Sequence, residues 1–218
     1  MYNARDKILS VKQMRLVDAR AVSLGLPVCF MMENAGNALA RYMARGLGNL
    51  EKKNVVVVCG LSNNGGGGFS SARHLSHHGA NVTVVLLGKP ADLRTKDTEL
   101  QWKTIEKVTE ISKIAANTNN KLKDIRKVIS GADGIIDAIL GTGYSGDEIR
   151  EPVSTAIDLI NSSKAYVVSN DVPSGVDADT GAIRYKAVSP DITVALHQKK
   201  AGLAKVGPVA VVSVGIPQ

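Results

Sequence analysis

Asn54-Val55-Val56-Val57-Val58-Cys59 runs straight into Gly60-Leu61-Ser62-Asn63-Asn64-Gly65-Gly66-Gly67-Gly68. An unbroken β-branched run, with no polar alternation, reads as a strand buried on both faces, as in parallel sheets. Lys52 and Lys53 bound it on one side and glycine on the other. The glycines predict a loop whose backbone N–H groups can approach an anion with no Cβ in the way, ahead of a helix over 70–78. No Lys-Ser/Thr pair follows them, so this is not a Walker loop, and their spacing is not G-x-G-x-x-G.

Working outward, similar apolar runs recur at 82–87, 134–140, 165–169, 192–195 and 209–214. Helical patterns fall between most of them, at 93–109, 120–129 and 152–160. Two more precede the first strand. Ser10 and Gln13 have capping-box spacing for a helix over 11–23, stopped by Gly25 and Pro27, and a second spans 29–45 and ends at Gly46. Strand, loop and helix in repetition predict an α/β fold, a Rossmann-like three-layer α/β/α sandwich with a mainly parallel central sheet. A single domain is expected over 1–218, with N-terminal helices at 10–47 and the Rossmann-like core at 53–218. Ligands of such sheets sit beyond the carboxyl ends of the strands.

Composition sets outer bounds. The 218 residues are 44% hydrophobic but only 4% aromatic, so the core must be aliphatic. Two cysteines, Cys29 and Cys59, make no disulfide framework, and Cys59 is expected to be a buried thiol. No apolar stretch approaches the ~20 residues that span a bilayer, and the first ten residues lack a signal core; a cytoplasmic location is expected. The net charge is +7. Its densest basic stretch, 103–127, also holds Glu106, Glu110 and Asp124 without interleaved aromatics, which favours a solvated face over a nucleic-acid surface. An anionic small ligand is the simpler use of the charge.

Two further strand-end loops carry chemistry. Gly141-Thr142-Gly143-Tyr144-Ser145-Gly146 matches G-x-G-x-x-G after a strand. A nicotinamide dehydrogenase would also want an acid closing the strand after the first glycine loop, and Leu86-Leu87-Gly88-Lys89 offers none. Asp171 instead opens Asp171-Val172-Pro173-Ser174-Gly175, where Pro173 fixes its own backbone and pushes Val172 to an extended conformation. Asp137 lies inside an apolar strand, and a buried carboxylate needs donors or a cation. Asn64, Asp137 and Ser174 offer only hard oxygen ligands, suited to an alkali or alkaline-earth ion rather than zinc. His74, His77 and His78 share one helix, show no metal spacing and are expected to face solvent. Lys199 and Lys200 follow a strand, and whether they meet a phosphate or are plain surface lysines is open.

Taken together, Met31-Met32-Glu33-Asn34-Ala35-Gly36, Asn63-Asn64-Gly65-Gly66, Asp137-Ala138-Ile139-Leu140-Gly141-Thr142-Gly143 and Asp171-Val172-Pro173-Ser174-Gly175-Val176-Asp177 resemble the YjeF N-terminal family, over nearly the whole chain and in order. The resemblance implies the sandwich fold, a homodimer, and an NAD(P)H-hydrate epimerase activity: interconversion of the R and S forms of hydrated NADH and NADPH, with an ADP- or ATP-dependent hydrate dehydratase as functional partner. It implies K+ held by Asn64, Asp137 and Ser174. The implied substrate set is Asn63, Asn64, Gly65, Gly66, Gly67, Gly141, Thr142, Gly143, Tyr144, Ser145, Gly146, Asp147 and Asp171, with Asp171 the candidate acid/base. One departure stands out. The family usually reads Asn-Asn-Gly-Gly-Asp-Gly, and this chain has Gly67 where that aspartate belongs. The alternative reading is therefore a catalytically impaired nucleotide-binding or scaffold domain of the same fold.

Overall fold

The computed structural model describes residues 7–116, 119–145 and 148–217, with backbone alone for 119–124. Its centre is a seven-stranded sheet of β2 (Asn54–Cys59), β3 (Asn81–Leu86), β4 (Ile111–Ala115), β5 (Gly134–Ala138), β6 (Tyr166–Asn170), β7 (Ile192–Leu196) and β9 (Val209–Val212). The strand order is β4-β3-β2-β5-β6-β7-β9, and every pairing is parallel. The chain builds outward from β2 in one direction and then returns to add β5 on the other side. That reversal is where a doubly wound sheet opens a crevice.

Alternation along β2 explains both faces. Val55, Val57 and Cys59 pack with α2 (Val28–Leu47), α3 (Asn63–His77) and α4 (Lys96–Glu106), around Leu39, Met43, Phe69 and Trp102. Val56 and Val58 face α5 (Asn119–Ser130) and α6 (Val153–Asn161), through Ile125, Ile129, Ile157 and Ile160. Each layer is mainly aliphatic. Phe69 and Trp102 meet edge to face, with centroids 5.3 Å apart.

α1 (Val11–Ser23) has its predicted capping box: Gln13 N donates to Ser10 Oγ at 3.2 Å, and Ser10 N donates to Gln13 Oε1 at 2.9 Å. Its Met14 and Ala21 pack on Met31 and Ala35 of α2 and on Val214 and Ile216 of the C-terminal tail. A small parallel pair, β1 (Ile8–Leu9) with β8 (Lys199–Lys200), ties this corner together. Among the described residues, no helix is long and apolar enough to cross a membrane.

The parallel sandwich matches the sequence expectation, with informative differences. β4 was not anticipated: Ile111-Ser112-Lys113-Ile114-Ala115 is short and polar, as suits an edge strand. The helix expected over 70–78 begins at Asn63, so Gly65 to Gly68 form its first turns rather than a loop. Close packing is the reason. A Cβ on Gly66 would lie 2.7 Å from Met32 Sδ, and one on Gly68 would lie 2.6 Å from Cys59 Sγ and 2.8 Å from Ala138 Cβ. Those contacts let α3 sit against α2 and the sheet at a distance no side chain permits. Among the described residues, by contrast, the stretch from Gly141 is followed by no immediate helix; the next begins at Val153.

Candidate functional site

The strand ends surround a cavity of about 600 Å³, within the range of small-molecule sites. Asn63, Asn64 and Gly67 line it from the start of α3, Gly141, Thr142, Gly143 and Tyr144 from beyond β5, and Asp171 from the tip of β6. Gly65 and Gly66 are buried under Gly60 O and Met32 and do not line it, nor does Ser145. Gly146 and Asp147 lie outside the described residues. Asn64, Asp137 and Ser174 converge at the cavity floor, Asn64 on its surface and the other two buried beneath it.

Asp137 is fully buried. Its Oδ1 accepts from Ile139 N at 3.3 Å and from Ser174 Oγ, and its Oδ2 accepts from Ser169 Oγ at 2.7 Å and Ser174 N at 2.9 Å. Burial pushes its carboxyl above the usual carboxylate range, against the bonds from Ser174, Ser169 and Ile139 that favour the ionised form. All its acceptor positions are thus met within the chain. Next to it, Leu140 N donates to Ser174 Oγ at 2.9 Å, and Leu140 O accepts from Asn64 Nδ2 at 3.0 Å. Asn64, Ser174 and Leu140 O therefore form an oxygen-rich cluster in which the Asn64 N–H occupies the place of a positive charge. The oxygens of this cluster are the hard donors that a monovalent cation takes, with Asp137 bracing them from behind.

Asp171 is built differently. Its φ of 66° puts a non-glycine residue in the left-handed region, a conformation that persists only where the surroundings enforce it. Its N donates to Val194 O at 2.9 Å, and its Oδ1 accepts from Leu196 N at 3.0 Å and from Lys200 Nζ. Lys200, only 1% exposed, also donates to Leu196 O at 2.9 Å. This buried ion pair faces the cavity. Two more titratable groups line the same wall. Asp18 of α1 is pushed up by burial and by the Asp171 charge, against the pull of Lys200. His197, also at positive φ, is pushed down by burial and by Lys200. Arg15 and Arg94 stand exposed among the lining residues.

Sequence reading left the role of Lys200 open and missed Asp18. Lysines are rarely buried, so nothing marked Lys200 as internal. Asp18 did leave a signal: it interrupts the stripe of Met14, Val17 and Ala21 that packs on α2. His74 corrects its expected exposure, since it is half-buried and its Nε2 pairs with Glu33 Oε1 at 2.8 Å, beside Ser70 and Arg73.

A parallel α/β/α sandwich with a cavity at its switch point and acid and base groups on one wall defines a protein that handles a polar small molecule. Comparison with known proteins narrows the class. Residues 28–202 match the family described as YjeF-related protein N-terminus, and the chain belongs to that family. It is 38% identical to the NAD(P)H-hydrate epimerase of Nitrosopumilus maritimus over 96% of this chain and 95% of that one, and 39% identical to the NAD(P)H-hydrate epimerase of Cenarchaeum symbiosum over the same shares. It is also 39% identical to the bifunctional NAD(P)H-hydrate repair enzyme Nnr of Pyrobaculum aerophilum, covering 97% of this chain but 42% of that protein. The crystal structure of yeast ynu0, YNL200c, shares the fold, with a TM-score of 0.80 at 24% identity over 95% of this chain and 88% of that one.

Proposed function

We propose that this chain epimerises hydrated NADH and NADPH at the carbon that bears the added hydroxyl. The observation that carries this reading is the near full-length similarity to the Nitrosopumilus maritimus epimerase. The reacting carbon holds both a hydroxyl and the ring nitrogen, so inversion requires one of those bonds to break and re-form on the other face. Either route moves a proton at the hydroxyl oxygen. Asp171 is the group placed to move it: Oδ1 is committed to Leu196 N and Lys200, which leaves Oδ2 for the substrate. Lys200 fixes the carboxylate's position and balances its charge, while Asp18 faces the same space. Asn63, Gly67 and the Gly141–Tyr144 turn contact the nucleotide, and Arg15 and Arg94 meet its phosphates.

K+ is proposed at Asn64 and Ser174, with Asp137 behind them. When bound, the ion supplies fixed positive charge that holds the strand-end loops together. Exchanging Na+ for K+ at constant ionic strength should raise the melting temperature; no change would remove the ion from the scheme. A homodimer is also proposed, supported by the exposed Leu16, Leu24 and Phe30 on and beside α1 and α2, and light scattering tests it. A hydrate dehydratase is the proposed consumer of the S form.

The deciding experiment separates the hydrate epimers by chromatography and times their equilibration with and without protein in K+ buffer. Acceleration is expected. Binding of the hydrate without acceleration would leave the second reading, a nucleotide-binding domain, which Gly67 favours.

A further inference from the structure

Asn170 closes β6 one residue before Asp171, is only 1% exposed, and lines the cavity. Its Nδ2 donates to Asn64 O at 3.2 Å and to Asn64 Oδ1 at 3.0 Å, while Asn64 Nδ2 donates in turn to Leu140 O at 3.0 Å. This relay fixes both amides, because turning Asn170 would set its oxygen against two others. The result is a buried acceptor, Asn170 Oδ1, with no hydrogen-bond partner among the described residues. Buried polar atoms are nearly always satisfied, so one left without a partner in a residue of the cavity wall points to a ligand.

A second observation concerns the space this amide fills. A Cβ on Gly67 would lie 2.8 Å from Asn170 Nδ2 and 3.8 Å from Asn170 Cγ, with Ala35 Cβ 3.9 Å away. The Asn170 amide thus occupies the room that a side chain at position 67 would need. Two elements, α3 and the tip of β6, compete for one place on the wall, and β6 has taken it.

We propose that Asn170 is a substrate-binding residue whose Oδ1 accepts a hydrogen bond from the carboxamide N–H of the hydrated nicotinamide ring, supplying from β6 the acceptor that Gly67 cannot supply from α3. The assignment to that ring rests on the function proposed above. With the substrate hydroxyl at Asp171, the carboxamide is the remaining donor on the ring, and a carbonyl oxygen can only accept.

The test measures hydrated NADPH binding by calorimetry alongside epimer exchange, for the wild type, Asn170→Ala, Gly67→Asp and the Gly67→Asp/Asn170→Ala double variant. Asn170→Ala should weaken binding by about tenfold or more, the effect of one lost hydrogen bond to a buried group, without moving the K+ concentration for half-maximal thermal stabilisation. Gly67→Asp alone should also bind poorly, because its Cβ displaces the amide. The double variant, with the clash relieved and a carboxylate in place, should recover to within about threefold of the wild type. Gly67→Ala pushes the same amide from the helix side and should reproduce the loss if Asn170→Ala does not fold.

Unchanged binding in folded Asn170→Ala overturns the proposal. So does a loss of binding that tracks a shifted K+ requirement, which would make Asn170 only a prop for Asn64. A folded double variant no better than Asn170→Ala overturns the exchange of places. A wild type that binds hydrate without exchanging its epimers overturns the epimerase reading alone, and one that binds no hydrate overturns both.

Discussion

Two carboxylates stand near the tips of adjacent strands, and they could hardly be treated more differently. Asp137 on β5 has no exposure and accepts from Ile139, Ser169 and twice from Ser174. Asp171, just past β6, sits in a left-handed conformation, shares one oxygen between Leu196 N and Lys200, and opens on the cavity. A carboxylate saturated by its own fold is a fixed part of the frame. One held by a single edge, with the other left over, can exchange a proton with a ligand. The same side chain becomes scaffold or reagent according to how many of its acceptor positions the chain fills.

The largest effect should come from the reagent. Asp171→Asn should lower the rate of epimer exchange by about 10²–10⁴-fold, the usual worth of a positioned acid/base group, and should also cost about 3 kcal/mol, because buried Lys200 loses its counter-charge. Exchange that stays at the wild-type rate in the folded variant would erase the distinction between the two acids. Asp137→Ala should act on the fold, costing about 3 kcal/mol or more in denaturant unfolding, because it strands Ser169, Ser174 and two backbone N–H groups in the interior. Lys200→Met breaks a buried pair from the cationic side and should cost about 3 kcal/mol, along with exchange activity. Ser169→Ala removes one of the Asp137 donors and should cost about 1 kcal/mol.

The smallest effect belongs to a third carboxylate, half on the surface. Burial opposes ionisation of Glu33, but Ser70, Arg73 and His74 outweigh it and hold the group below its ordinary value of 4.5. Its stabilisation is therefore complete above that value and is lost as pH falls through the lowered one. Glu33→Gln should cost about 0.5–1 kcal/mol at pH 7, as for a largely exposed pair, and the difference from wild type should shrink in acid melts.

Much of this contrast is legible in the chain itself. A lone Asp137 inside an apolar strand, and Asp171 ahead of Val172-Pro173-Ser174-Gly175, single out both acids before any fold is known. Their roles are not legible. What separates them is the partner each finds: Ser169 and Ser174 for one, Lys200 for the other, all brought in by parallel pairing of distant segments. Lys200 was open between a phosphate contact and a surface position because no periodic pattern surrounds it, and only the packing of β8 against β1 and β7 buries it. The α3 glycines were misread for a similar reason. Gly65 to Gly68 have poor helix propensity on their own, and the close approach of Met32, Cys59 and Ala138 that favours the helix is a tertiary contact.

By itself, then, the sequence determined the layered parallel fold, the strand-end position of the cavity and the two acids that stand beside it. These follow from apolar periodicity and turn chemistry, which are local. Tertiary structure alone decided which acid is saturated by its own fold and which opens on the cavity, buried Lys200 beside Asp171, started α3 at Asn63 and set Asn170 in the space left by Gly67. Each of those outcomes depends on hydrogen bonds and contacts between residues far apart in the chain, and no local pattern encodes them.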